Sequence, residues 1–67
     1  MNVKISTEFI KLEALMKFAG LVETGGEAKQ RIEAEEVRVN GEVCTMRGKK
    51  LRSGDRVFFN NEEIVIE

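Results

Sequence analysis

The spacing of the apolar residues predicts a short strand followed by a helix. Val3 and Ile5 alternate with polar neighbours, which is the pattern of a half-buried strand. From residue 11 to residue 19 the apolar period is that of a helix. Gly20 follows, where the end of a helix favours a residue that tolerates positive φ. The inward face of this first helix is expected to carry Leu12, Leu15, Met16 and Ala19, with Phe18 at its edge.

A second helix is predicted to begin in the stretch "TGGEAKQRI". Thr24 and Glu27 have the spacing of a capping box, in which the hydroxyl accepts from an early backbone N–H and the carboxylate reaches back to the cap. Ala28 and Ile32 are expected to point inward. Glu27 also precedes Arg31 by four residues, which predicts an ion pair within the helix.

The rest of the chain has the alternating pattern of antiparallel strands. Val37 and Val39 alternate, and Asn40-Gly41 is a strong signal for a two-residue hairpin turn. A loop is expected from residue 47 to residue 56, closed by a turn at Ser53-Gly54-Asp55. Two further strands are indicated by Val57 and Phe59, then by Ile64 and Ile66, with a turn at Asn60-Asn61. The predicted order is one strand, two short helices and a run of antiparallel strands.

The size and composition indicate one small globular domain over residues 1–67. The chain has 67 residues, of which 42% are hydrophobic and 34% charged. No apolar run approaches the roughly 18 residues that span a membrane, and the N-terminus has no signal-peptide pattern. The single Cys44 excludes an internal disulfide, which fits a reducing compartment. The cytoplasm is therefore the expected location.

The same counts exclude most catalytic chemistry. The chain has no histidine, so a zinc site, a Ser–His or Cys–His arrangement and an imidazole base are not expected. A domain of this size also has little room for a deep substrate pocket. We expect no enzyme activity, no metal and no cofactor.

Positive charge is concentrated in the segment "RGKKLRSGDR", residues 47–56, which we call the basic segment. It contains five cations and one acid, whereas the rest of the chain contains six cations and eleven acids. A basic surface on an otherwise acidic protein suits a polyanionic partner. The alternative is an ordinary solvated face, because most charged runs have no further role.

The glycine pair at the start of the second helix has two interpretations. Gly25 and Gly26 follow the Thr24 cap and leave the first backbone N–H groups bare, so that a phosphate could bind there, with Lys29 on the same flank. The other interpretation is a cap followed by two small residues that let the helices pack closely.

Several stretches, taken in order, resemble a known family. The run "KLEALMKFAGLVETGGEAKQRIEAEEVRVNGEV", followed by "LRSGDRV", resembles the RNA-binding domain named after protein four of the small ribosomal subunit, the alpha-L motif. The resemblance runs from about Lys11 to Val57 and includes the basic-Leu-acidic start of helix one, the capped second helix, the Val-Asn-Gly hairpin and the Gly-Asp turn. The segments "TGGEAK" and "RGKKLRSGD" are more similar to the stand-alone YaaA/YbcJ-like branch of this family.

The resemblance implies both a fold and a function. The implied fold is α+β, with two short helices packed on a small curved antiparallel sheet. The implied function is RNA binding, by a face that both helices and the loop after the hairpin form. The residues expected to contact RNA are Lys11, Thr24, Gly25, Gly26, Lys29, Asn40, Arg47, Lys49, Lys50 and Arg52.

Two departures from the family pattern move the expected contacts toward the basic segment. Gly25 stands where many members have an arginine after the cap. Glu35 and Glu36 stand where basic or neutral residues are common before the hairpin. The cations of residues 47–52 are therefore expected to contribute most of the binding.

The sequence thus predicts a non-catalytic protein that recognises structured RNA through its phosphate backbone and shape. With few aromatic residues for stacking on bases, little base reading is expected. Ribosomal RNA or a ribosome assembly particle is the expected partner, with no membrane and no small-molecule substrate, and a monomer is expected. The alternative function is a protein–protein interaction adaptor with the same fold. In that case a basic partner would bind two acidic patches, Glu33/Glu35/Glu36 and Glu62/Glu63/Glu67.

Overall fold

The structure, a computed structural model, describes all residues 1–67 and contains two helices and seven short strands. The helices are α1 (Leu12–Phe18) and α2 (Gly25–Glu33). The strands are β1 (Asn2–Val3), β2 (Ile10–Lys11), β3 (Val37–Val39), β4 (Glu42–Val43), β5 (Lys50–Leu51), β6 (Arg56–Phe59) and β7 (Glu62–Ile66). Neither helix is long and apolar enough to cross a membrane.

Five of the strands form one sheet in the order β1-β7-β6-β3-β4, and β2 pairs with β5 as a separate two-stranded ribbon. The predicted α+β class with two helices on a small sheet is confirmed. The sheet is mixed, however, because β1 lies parallel to β7, with Val3 opposite Ile66. Both helices and five strands separate β1 from β7 along the chain, so this pairing is not a hairpin and need not be antiparallel.

Both helices end in the same hydrogen-bonded motif. In α1 the N–H of Leu21 donates to the carbonyl of Met16, and the N–H of Gly20 donates to that of Lys17. Gly20 has a φ of 76°, as the sequence predicts for this position. In α2 the corresponding left-handed residue is Glu35, with a φ of 63°. Each helix therefore ends in a Schellman motif, and only the first has glycine at its left-handed position.

The predicted cap of α2 is confirmed in most of its detail. The Thr24 hydroxyl accepts a hydrogen bond from the N–H of Glu27 at 3.1 Å. The Glu27 carboxylate in turn accepts from the N–H of Glu23 at 3.0 Å, one residue before the predicted partner. Thr24 thus occupies one backbone N–H of the first turn, and Glu27 binds the N–H of the residue before the cap.

The two predicted two-residue turns are also confirmed. Asn40 and Gly41 have φ values of 52° and 88°, and they join β3 to β4. Asn60 and Asn61 have φ values of 52° and 64°, and they join β6 to β7. Positive φ at both central residues is the geometry that matches the twist of the flanking strands.

One apolar core joins the helices to the sheet and to the two-stranded ribbon. All of its buried side chains are hydrophobic, and no polar side chain is buried. Phe59 faces this core while the neighbouring Phe58 is exposed, as the strand alternation requires. The buried residues are Val3, Leu12, Leu15, Met16, Val22, Ala28, Ile32, Val37, Val39, Leu51, Val57, Phe59, Ile64 and Ile66.

Candidate nucleic-acid interface

The basic segment is more ordered than the loop that the sequence predicts. Residues 50 and 51 form β5, which pairs with β2, and the side chain of Leu51 is fully buried in the core. The sequence gives no periodic signal for a strand of two residues, so this pairing was missed. The buried leucine fixes the middle of the segment to the domain, while its cations remain exposed.

The start of α1 holds the basic segment from a second side. Lys11 is the N-cap of α1 and its side chain makes no cap hydrogen bond. Instead, the N–H of Leu12 donates to the carbonyl of Lys49 at 2.8 Å, and the N–H of Glu13 donates to that of Arg47 at 3.1 Å. Two backbone donors that a helix start normally leaves free are therefore used to position the basic segment.

The ribbon of β2 and β5 brings Lys11 to the basic segment. Lys11 lies directly opposite Lys50 in the antiparallel register, and both side chains are exposed. Like charges in directly opposed positions destabilise a strand pair, so this arrangement favours the approach of an anion. The sequence placed these two lysines in the same site, but it did not predict their pairing.

An aromatic ring lies under two of the cations. The ammonium nitrogen of Lys50 is 4.8 Å from the centroid of the Phe9 ring, and the guanidinium carbon of Arg52 is 5.7 Å from it. Both distances are within the range of a cation–π interaction. No sequence pattern marks Phe9, which lies before the resemblance begins, and only the β2–β5 pairing places it beside these cations.

Asn40 and Asp55 form hydrogen bonds that hold the C-terminal end of the basic segment. The Asn40 amide donates to the Asp55 carboxylate at 3.1 Å, and its oxygen accepts from the N–H of Arg56 at 2.9 Å. The same carboxylate accepts from the N–H of Arg52 at 2.8 Å. This backbone hydrogen bond, followed by the one from Asn40, lowers the pKa of Asp55 below its ordinary value. Asn40, predicted as an RNA contact, thus has its amide engaged within the protein.

The glycine pair of α2 is not required for helix packing. A Cβ atom at Gly25 would meet no atom within 4 Å, and one at Gly26 would meet only the Thr24 hydroxyl at 3.9 Å. Packing of the helices therefore does not require glycine, as opposed to alanine, at either position. Their N–H groups make no hydrogen bond within the protein, and the side chain of Lys29 is exposed and unpaired. No hydrogen bond links this end of α2 to the basic segment.

Two arginines have carboxylate partners, and one of these partners differs from the prediction. Arg31 lies 3.4 Å from the carboxylate of Glu36, not of Glu27, whose carboxylate is used in the α2 cap. Arg56, at the end of the basic segment, lies 3.3 Å from the carboxylate of Glu63. These are the only ion pairs in the structure. The cations without a carboxylate partner include Lys11, Arg47, Lys49, Lys50 and Arg52.

A shallow groove lies beside the basic segment, along the outer strand β4. Its volume is about 320 Å³, and it opens widely to solvent. Lys49 lies at its side, and the exposed side chains of Val43 and Met46 contribute apolar surface. The groove is thus continuous with the cationic surface but has no enclosed pocket.

Comparison with known proteins agrees with this architecture. A family model described as the S4 domain matches residues 3–67, which extends the resemblance to the first and last strands. A curated relative, "Probable ribosome maturation protein RlbA" from Bacillus subtilis (strain 168), is 42% identical over 55 residues, which is 82% of this chain and 78% of the relative. The basic segment, the capped second helix and the hairpin therefore all lie within the residues that match the family model. The chain belongs to the S4 domain family.

Proposed function

We propose that the protein is a non-catalytic RNA-binding protein that recognises structured RNA by its phosphate backbone and shape. One observation supports this most strongly. Five exposed cations without carboxylate partners are held together by one fixed unit, made of the basic segment and the start of α1: Lys11, Arg47, Lys49, Lys50 and Arg52.

The fixed backbone gives these cations an advantage over scattered surface charges. Leu51 is buried, and the carbonyls of residues 47 and 49 accept hydrogen bonds from α1. The main chain is therefore already ordered before RNA binds, which lowers the entropic cost of binding. The arginines supply forked donors that suit phosphate oxygens, and the lysines supply compact charges. The unit is thus suited to closely spaced phosphates.

The residues of α2 are proposed as a separate contact. The free N–H groups of Gly25 and Gly26, the cap at Thr24 and the exposed Lys29 form a surface that a phosphate can approach. Asn40 is proposed to act indirectly, because its amide holds the turn that ends the basic segment.

Ribosomal RNA or a ribosome assembly particle is the proposed target. The support is the S4 domain match together with the relative whose printed name describes ribosome maturation. We also propose that the protein works in the cytoplasm as a monomer. The unpaired Cys44 is compatible with this compartment.

Crosslinking in cells, followed by sequencing of the bound RNA, tests this proposal. We expect crosslinks concentrated on ribosomal RNA, at a few structured positions. A variant with Lys49→Gln and Lys50→Gln should lose most of them, whereas Arg31→Gln should retain them. RNA recovery at the level of an uncrosslinked sample, together with a stable co-purified protein, would support the adaptor function instead.

A further inference from the structure

Phe9 lies beside the cations of the proposed RNA-binding surface, although no sequence motif marks it. It directly precedes β2, and Arg52 directly follows β5. Ile10 pairs with Leu51, and continuing this antiparallel register by one residue places Phe9 opposite Arg52. The ring is half-buried, which limits its motion.

The two faces of the ribbon therefore have different compositions. Ile10 and Leu51 face the core, where Ile10 is half-buried and Leu51 fully buried. Successive side chains in a strand point to opposite faces, so the residues on either side of this pair share the outer face. These outer residues are Phe9, Lys11, Lys50 and Arg52.

The outer face places two cations over one ring and a third cation across the ribbon. Lys50 and Arg52 lie over the Phe9 ring, at 4.8 Å and 5.7 Å from its centroid. Lys11 lies directly across the ribbon from Lys50. None of the three has a carboxylate within ion-pair distance, so a bound anion would relieve their mutual repulsion.

We propose that Phe9 is a positioning residue, whose ring holds Lys50 and Arg52 beside Lys11 to form a site for one RNA phosphate. This inference rests on the proposed RNA-binding function and extends it to a residue and a site. The negative face of the ring attracts both cations, so their side chains are ordered before the phosphate arrives. Because these cations cover the ring, a base can stack on it only by displacing them.

The test uses three variants and one structured RNA, titrated over a range of salt. Phe9→Leu removes the ring and retains an apolar side chain, whereas Phe9→Tyr retains the ring. Phe18→Leu is the control, because it removes another aromatic side chain, 69% exposed on α1. Thermal unfolding of each variant reports whether the fold is retained.

We expect Phe9→Leu to weaken RNA binding about two- to fivefold, the equivalent of one exposed cation–π interaction. The slope of log affinity against log salt should also become shallower by up to about 1, because one phosphate contact is loosened. Phe9→Tyr and Phe18→Leu should both keep the wild-type affinity and the wild-type salt slope. In the free wild-type protein, the side-chain protons of Lys50 should show ring-current shifts that Phe9→Leu abolishes.

Two results would overturn the inference while leaving RNA binding intact. One is weaker binding by Phe9→Leu with an unchanged salt slope, which would mean that the ring contacts a base. The other is an absence of ring-current shifts on Lys50 in a folded wild-type protein. If the wild-type protein binds no RNA but shows these shifts, the proposed function fails and the ring geometry stands.

Discussion

At the scale of single residues, the two helix ends differ in one respect. Gly20 and Glu35 occupy the same position of the Schellman motif, and both have positive φ. Glycine adopts this conformation without steric cost, whereas a residue with a side chain does not. The second helix therefore ends with a local strain that the first avoids.

We predict that Glu35→Gly stabilises the protein by about 1 kcal/mol, because the left-handed conformation loses its steric cost. Gly20→Ala is the matched control, and it should destabilise by about 1 kcal/mol for the reverse reason. A side chain at position 20 meets no atom within 4 Å, so only the backbone is affected there. Urea denaturation of both variants measures the two changes. A destabilised Glu35→Gly variant would contradict this account.

Asp55 makes the stability of the basic segment depend on pH. Its pKa lies below the ordinary value of 3.8, chiefly because the Arg52 N–H and then the Asn40 amide bind its charged form. Between these two pKa values the unfolded chain binds more protons than the folded one. The stabilisation is therefore complete above the ordinary pKa, and it is lost as the pH falls through the lower, folded one.

We predict that Asp55→Ala lowers the free energy of unfolding at neutral pH by about 1 to 2 kcal/mol, through the loss of its two hydrogen bonds. The difference from wild type should shrink only below about pH 4, where the unfolded wild-type chain begins to bind a proton at Asp55 that the folded protein does not bind. Urea denaturation from pH 7 to pH 2 checks both points. Glu8→Ala, at an exposed acid without hydrogen bonds, is the control. A constant difference at every pH would contradict the assigned role.

At the scale of elements, Leu51 connects the basic segment to the core. It is the only fully buried residue of the basic segment, and its strand is only two residues long. The first half of this segment is therefore held by one buried side chain, by the pairing of β5 with β2 and by the two hydrogen bonds from α1.

We predict that Leu51→Ala lowers the free energy of unfolding by about 2 to 5 kcal/mol, because it leaves a cavity in the core. Leu51→Met, which nearly conserves the volume, should cost less than about 1.5 kcal/mol. Urea denaturation compares the two. Equal small effects would mean that the segment is held without its buried side chain.

The elements that local patterns determine were predictable from the sequence. The α2 cap at Thr24 and the turn at Asn40-Gly41 depend on neighbouring residues, and the structure confirms both. The pairing of β2 with β5 was not predictable. Each strand has only two residues, which is too few for a periodic pattern, and the two strands lie far apart along the chain. Arg31 pairs with Glu36 because the Glu27 carboxylate is hydrogen-bonded in the α2 cap. The spacing of the residues alone does not show this competition for Glu27.

At the scale of the whole molecule, the fold unites cations that are far apart along the chain. The sequence shows a net positive segment in a chain whose formal net charge is −1. The structure adds Lys11 to that segment and removes Arg56 from it by pairing with Glu63. The cations of the candidate site were therefore visible in the sequence, whereas their grouping required the tertiary structure. We propose that this group, rather than overall charge, binds RNA.

The most direct test measures affinity for one structured RNA against salt for three proteins. With three to five phosphate contacts, the wild-type log–log slope should be roughly −2 to −4.5. Lys49→Gln with Lys50→Gln should weaken binding and make the slope shallower by about 1 to 2. The matched control, Arg31→Gln with Arg56→Gln, removes the same charge from two ion-paired residues, and its slope should stay close to that of wild type. Equal losses in the two double variants would contradict a defined site and indicate a diffuse electrostatic attraction.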